Sequence, residues 1–121
     1  MAEVVTISEE RIGGIHKVAL AVVSDTDGTA DATTTYAYSG EVVRFVAAPD
    51  GGGTQPTDNF DMVLNDEDGY DILAGNGANL SNAAATTVAT GLGAIANDKI
   101  AISASNMGSA KGATFYVYIR P

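Results

Sequence analysis

Asn59-Phe60-Asp61-Met62-Val63-Leu64-Asn65-Asp66-Glu67-Asp68-Gly69-Tyr70-Asp71-Ile72-Leu73 is the most strongly patterned run in the chain. It reads as two extended segments turning at Asp68-Gly69. A three-residue loop, Glu67-Asp68-Gly69, sets Asp66 opposite Tyr70, Leu64 opposite Ile72 and Met62 opposite Ala74. Phe60, Met62, Leu64, Tyr70 and Ile72 then share one face. A two-residue loop opposes Leu64 with Leu73 and turns Ile72 to the other side. A one-residue slip moves a whole side-chain set across the sheet, so the three-residue loop is the expected one. Its last position favours φ > 0, and a glycine stands there.

The same reading extends in both directions. Ile15 to Val23 alternates with tolerably apolar residues on both faces, as a central strand does. Ala32 to Tyr38, rich in Thr and Tyr, and Glu41 to Ala47 are further strands, separated by Ser39-Gly40. In the latter, either Val43 and Phe45 or Val42 and Val46 face inward. Asp98 to Ser105 presents Ile100, Ile102 and Ala104 on one face. Asn106 to Gly112 reads as a hairpin connection into Ala113 to Arg120, where Phe115, Val117 and Ile119 oppose Tyr116 and Tyr118. Between Ala74 and Val88 the small residues allow at most one or two helical turns, with Ser81 as a cap. Leu92 and Ile95 are placed at one end of the core. The expected fold is all-β: an antiparallel β-sandwich or small β-barrel of about seven or eight strands, with at most one short helix. Residues 15–121 form a single domain. Residues 1–14 are an N-terminal arm or frayed segment, and an arm would add to a neighbouring subunit's sheet edge.

Composition narrows function. The 121 residues carry 15 acidic and 6 basic side chains, a net charge of −9. That balance argues against nucleic acid and against an anionic membrane surface. No apolar run is long enough for a membrane-spanning helix, and the first residues lack a signal-peptide pattern. With no Cys and one His, thiolate metal sites and His clusters within one chain are excluded. Gly51-Gly52-Gly53 is followed by Pro56 and a strand rather than the helix of a phosphate-binding loop. The acidic groups Asp66, Asp68 and Asp71, and Asp25, Asp27 and Asp31, offer the oxygen ligands that Ca²⁺ prefers. Both fail the EF-hand spacing, because Tyr70 and Thr29 fall at the fifth position and Asp71 and Ala30 at the sixth. Asp is also a turn residue in its own right. Val22 to Gly28 echoes Val63 to Gly69, which shared turn chemistry explains. His16 reads as a solvated strand-start residue, and no Gly-x-Ser-x-Gly occurs. The expectation is therefore no catalytic, metal or cofactor site and a protein that is not an enzyme.

Tyr38-Ser39-Gly40-Glu41-Val42-Val43, Pro56 to Asp66, Asp68 to Leu73 and Gly112 to Ile119 together resemble small structural proteins of tailed-bacteriophage virions, among which capsid decoration (cement) proteins are the preferred match. The resemblance covers most of the chain after Lys17 and lies in a strand-and-turn pattern. It implies a non-enzymatic protein on the capsid surface of the virion, assembled in the host cytoplasm. Its partners would be the major capsid protein and its own copies, with a trimer favoured. A tail, spike or fibre-base component is the alternative, and a carbohydrate- or calcium-binding β-sandwich module is a third reading, for which Tyr36, Tyr38, Tyr116 and Tyr118 are the available aromatics. The partner-binding residues expected are Val4, Val5, Thr6, Ile7 and Arg11 in the N-terminal segment, with Tyr116 and Tyr118 on the last strand.

Overall fold

The computed structural model describes residues 2–121. Nine strands form two antiparallel sheets: β1 (Val4–Glu10), β2 (His16–Val23), β3 (Ala30–Thr33), β4 (Tyr38–Pro49), β5 (Asp61–Asn65), β6 (Thr86–Val88), β7 (Ala94–Asp98), β8 (Ala101–Ser105) and β9 (Gly112–Arg120). The larger sheet runs β1-β2-β9-β4-β6, with β7 also paired to β4, and the smaller runs β3-β8-β5. The architecture is an all-β sandwich. The only helical element among the described residues is a 3-10 turn at Gly52–Thr54. Ser81 still acts as a cap, its hydroxyl accepting the amides of Ala83 and Ala84, without a helix behind it.

Alternation in β2 and β9 builds the inner face of the larger sheet. Val18 lies opposite Val117 and Leu20 opposite Phe115, all fully buried. From β4, Phe45 lies opposite Val117 and Ala47 opposite Phe115. The smaller sheet contributes Ala30, Met62, Leu64, Ile102 and Ala104. Phe45 stacks on Phe115 with ring centroids 6.1 Å apart, and Phe60 tilts onto Phe115 at 6.4 Å, joining the two layers. Aromatic pairs at these separations add to the area term.

Chain crossings between sheets leave backbone polar groups without ladder partners, and two buried hydroxyls serve them. Ser24, just after β2, donates to the Gly108 carbonyl at 2.6 Å and accepts the Lys111 amide at 3.0 Å. Thr34, just after β3, donates to the Tyr36 carbonyl at 2.8 Å and accepts the Ile100 amide at 3.0 Å. A buried hydroxyl is tolerated where both its donor and acceptor functions are used.

Several sequence expectations are corrected. The described part of the segment expected as an arm or frayed end pairs with β2 from Val4 to Glu10, so it is an edge strand of its own sheet. Ala32 to Tyr38 is not one strand, because the chain changes sheets at Thr34. Asp98 to Ser105 is likewise split between β7 and β8, so Asn106 to Gly112 crosses between sheets rather than closing a hairpin. Ser39-Gly40 does not interrupt β4. Gly40 has φ +136, and a Cβ there would meet the Arg120 carbonyl oxygen. Neither inward set proposed for Glu41 to Ala47 holds. A bulge between Val42 and Arg44 changes the phase, so Val42, Phe45 and Ala47 face inward.

The Asp68-Gly69 turn keeps the expected register. The Asp66 amide donates to the Tyr70 carbonyl at 3.1 Å, the Ile72 amide to the Leu64 carbonyl at 2.7 Å, and Gly69 has φ +87. The second arm of the hairpin does not persist: only Asn65 and Asp71 form a bridge. The Asp71 carboxylate accepts the amides of Leu73 and Gly75, and Ala74 takes φ 51, curling the chain away. The Met62 amide consequently bonds Gly77, not Ala74. Tyr70, expected in the core, is 73% exposed, whereas Leu73 is buried beside Ile72.

Candidate docking surface

Among the described residues no strand packs over the side chains that point outward from the larger sheet, which are exposed or half-buried. Across this outer face the register sets Glu10, Lys17, Tyr118 and Arg44 in one row. The next row holds Ser8, Ala19, Tyr116 and Val46, and a third holds Thr6, Ala21, Thr114 and Ala48. The second and third rows consist mostly of small residues, and the half-buried Tyr116 and Tyr118 are the large side chains that β9 adds to this face. The Lys17 ammonium lies 5.1 Å from the Tyr116 ring centroid and 5.9 Å from that of Tyr118. The Arg44 guanidinium lies 5.0 Å from the Tyr118 centroid, on its other flank. Cations over ring faces hold both partners in place. At the β4–β9 margin Arg120 pairs with Glu41 at 3.7 Å, an exposed contact of small energetic weight.

The face therefore carries three cations and two carboxylates on a domain whose net charge is −9. Several acidic residues lie on turns, where their carboxylates hold backbone. Asp25 Oδ1 accepts the amides of Asp27 and Thr29, and Asp66 Oδ1 accepts those of Asp68 and Tyr70. In both turns the glycine amide closes onto the aspartate carbonyl. The sequence echo is thus one turn chemistry used twice. At Asp25 the Thr29 amide, seconded by the Thr29 hydroxyl and the Asp27 amide, holds the carboxyl below its ordinary value against the opposing effect of desolvation. Carboxylate oxygens of Asp66, Asp68 and Asp98 lie within 4.8 Å of one another. Sequence proximity pointed to Asp71 as the third member. Asp71 instead accepts the amides of Leu64, Leu73 and Gly75. Asp98 arrives from β7, 30 residues further on, through its contact with the Glu67 amide.

At the far end of β1 and β2 an open cleft of about 680 Å³ is lined by Glu9, Glu10, Arg11, Ile12, His16 and Tyr36. The Arg11 guanidinium stacks 3.6 Å over the Tyr36 ring, and Ile12 is 94% exposed. Glu9 accepts the amides of Thr35 and Tyr36 and the Tyr38 hydroxyl, the last at 2.7 Å. Burial first, and then Glu9, push the Tyr38 phenol well above its usual value. Compared with protein-family models, with curated proteins and with solved structures, the chain matches none.

Of the expected partner-binding residues, Val4, Thr6, Tyr116 and Tyr118 share the outer face. Val5 and Ile7 pack against the core instead. Arg11 stands apart at the cleft. The four tyrosines do not form one binding face, because Tyr38 is buried and Tyr36 sits at the cleft. Sequence reading missed Lys17 and Arg44. Lys17 is out of phase with Val18, Leu20 and Val22, so strict alternation already placed it outward. Arg44 was hidden by the bulge at Val43.

Proposed function

We propose that the protein is a non-enzymatic virion component, a capsid decoration protein that docks on the head shell through the outer face of its larger sheet. The observation that carries this reading is the pair Tyr116 and Tyr118, flanked by Lys17 and Arg44, on the outer face of the larger sheet of an otherwise acidic domain. Tyrosine and arginine are the side chains that most often anchor protein interfaces, and small neighbours let a partner surface approach closely. The cations favour a shell surface bearing carboxylates. The resemblance in the strand-and-turn runs points to the class of partner, the major capsid protein. The commitment of Asp25, Asp66, Asp71 and Glu9 to backbone amides supports a scaffold role for the acidic residues.

Binding of purified protein to heads lacking it tests the proposal. Tyr116→Ala/Tyr118→Ala and Arg44→Glu are expected to lower head occupancy severalfold, while circular dichroism shows the same sheet content. Full occupancy by both variants would overturn the docking face. Removal of residues 1–10 is a poor test, because it strips an edge strand from the sheet.

A further inference from the structure

The edges of the two sheets are not equivalent. The free side of β5 is closed by the following chain: the Met62 amide bonds Gly77 at 2.7 Å, and Phe60 bridges Leu80. On the far side of the larger sheet, β6 has three residues, and β7 is distorted where Asn97 takes φ 55. β3 has four residues and carries Asp31. β1 differs from all of these. It has seven residues, pairs only with β2 among the described residues, and contains no Pro, Gly, Lys or bulge. Pro, Lys and bulges are among the devices that keep edges from pairing; the charges β1 does carry, Glu9 and Glu10, sit together at its C-terminal end, where the Glu9 carboxylate is engaged by the Thr35 and Tyr36 amides.

We propose that β1 pairs antiparallel with β1 of a second copy about a two-fold axis at Ile7, joining the two larger sheets into one. The sequence of the strand is self-complementary in that register. Ile7 lies opposite its own symmetry mate, beside the core. Thr6 lies opposite Ser8 of the second copy, a favourable cross-strand hydroxyl pair on the outer face. Val4 and Val5 lie opposite Glu10 and Glu9, which keeps each glutamate at the far end of the contact from its mate. One residue beyond each end of the strand, Glu3 falls opposite Arg11 in register, which pairs opposite charges twice when the Arg11 guanidinium turns from its stack on Tyr36. These pairings matter because copies with net charge −9 otherwise repel. Shifting the axis to Thr6 sets Glu3 against Glu9, and shifting it to Ser8 shortens the ladder. An isologous contact of this kind closes at two copies. It does not depend on the capsid reading, since it uses the edge of the sheet and not the tyrosine face.

Sedimentation of the full-length protein tests it. Thr6 and Ser8 are exposed in the single chain, so Thr6→Lys/Ser8→Lys leaves the fold intact while opposing lysines twice across the axis. The wild type is expected to sediment as a dimer, and this variant to dissociate roughly tenfold more readily. The added lysines reduce the net negative charge, so the loss cannot come from general repulsion. Glu3→Arg and Arg11→Glu should each weaken the dimer, and their combination should restore it. A wild type that remains monomeric, a trimer, a variant as dimeric as the wild type, or failure of the combined exchange to restore association would each overturn the proposal.

Discussion

Gly28 and Gly69 occupy the same position in two copies of one turn, and replacing each with alanine separates two physical effects. Both have left-handed backbone, φ +81 and +87. A side chain in that region costs about 1 kcal/mol, so both variants lose at least that much. Around Gly69 a Cβ meets nothing within 4 Å. Around Gly28 it would stand 2.8 Å from the Gly108 amide nitrogen, closer than real Cβ contacts allow. Gly108 cannot easily retreat. Its carbonyl is held by Ser24, and the Met107 amide is bonded to the Gly28 carbonyl at 3.1 Å. Forced overpacking adds roughly 1–3 kcal/mol. Gly69→Ala should therefore lower stability by about 1 kcal/mol and Gly28→Ala by about 2–4 kcal/mol, with urea unfolding slopes unchanged. In thermal melts, the first corresponds to a fall of roughly 3–5 °C. Equal losses would refute the close approach of Gly28 to Gly108, and a neutral Gly69→Ala would refute the three-residue loop.

Other outcomes follow from the core and the titrating groups. Phe115→Ala removes the ring that touches both Phe45 and Phe60 and should cost about 3–5 kcal/mol in urea unfolding. Tyr38→Phe leaves a part-buried Glu9 without its hydroxyl donor, for a loss of about 1–3 kcal/mol. Because the Tyr38 pKa is raised on folding, its contribution is present below the unfolded value of 10.0 and is lost as pH rises beyond it. The alkaline fall in melting temperature should therefore be shallower in Tyr38→Phe. Asp25 has its pKa lowered on folding, so its contribution is present above the unfolded value of 3.8 and is lost as pH falls below it. Asp25→Asn should flatten that acid limb of the stability profile.

Strands with strict alternation were legible from sequence. Val18, Leu20 and Val22, Ile100, Ile102 and Ala104, and Phe115, Val117 and Ile119 all face inward as their period of two requires. The turn at Gly69 was legible because only one register kept Leu64 and Ile72 together. What failed did so where one residue breaks the period or one hydroxyl replaces a ladder bond. The extra residue Val43 reversed the faces of β4 and hid Arg44. Thr34 ended β3 inside a run of good strand formers, and its hydroxyl also serves Ile100, where the run from Asp98 divides. Asp71 removed the second arm of the hairpin by drawing Leu73 and Gly75 onto its carboxylate. On the outer face of the larger sheet the tyrosines were visible as the polar phase of β9. Their cations were not, because pairing of β2 and β4 on either side of β9 is a long-range fact. The N-terminal segment reads as an arm or frayed end because nothing local in residues 1–14 shows its partner, and its ladder with β2 from Val4 to Glu10 is a long-range fact.

Electron microscopy of tailed-bacteriophage particles incubated with the purified protein tests the proposed capsid role most directly. The capsid-decoration account predicts two-layered β density on the outside of the head, with the sheet bearing Tyr116 and Tyr118 against the shell. Density on the tail alone, or particles without the protein, would contradict it.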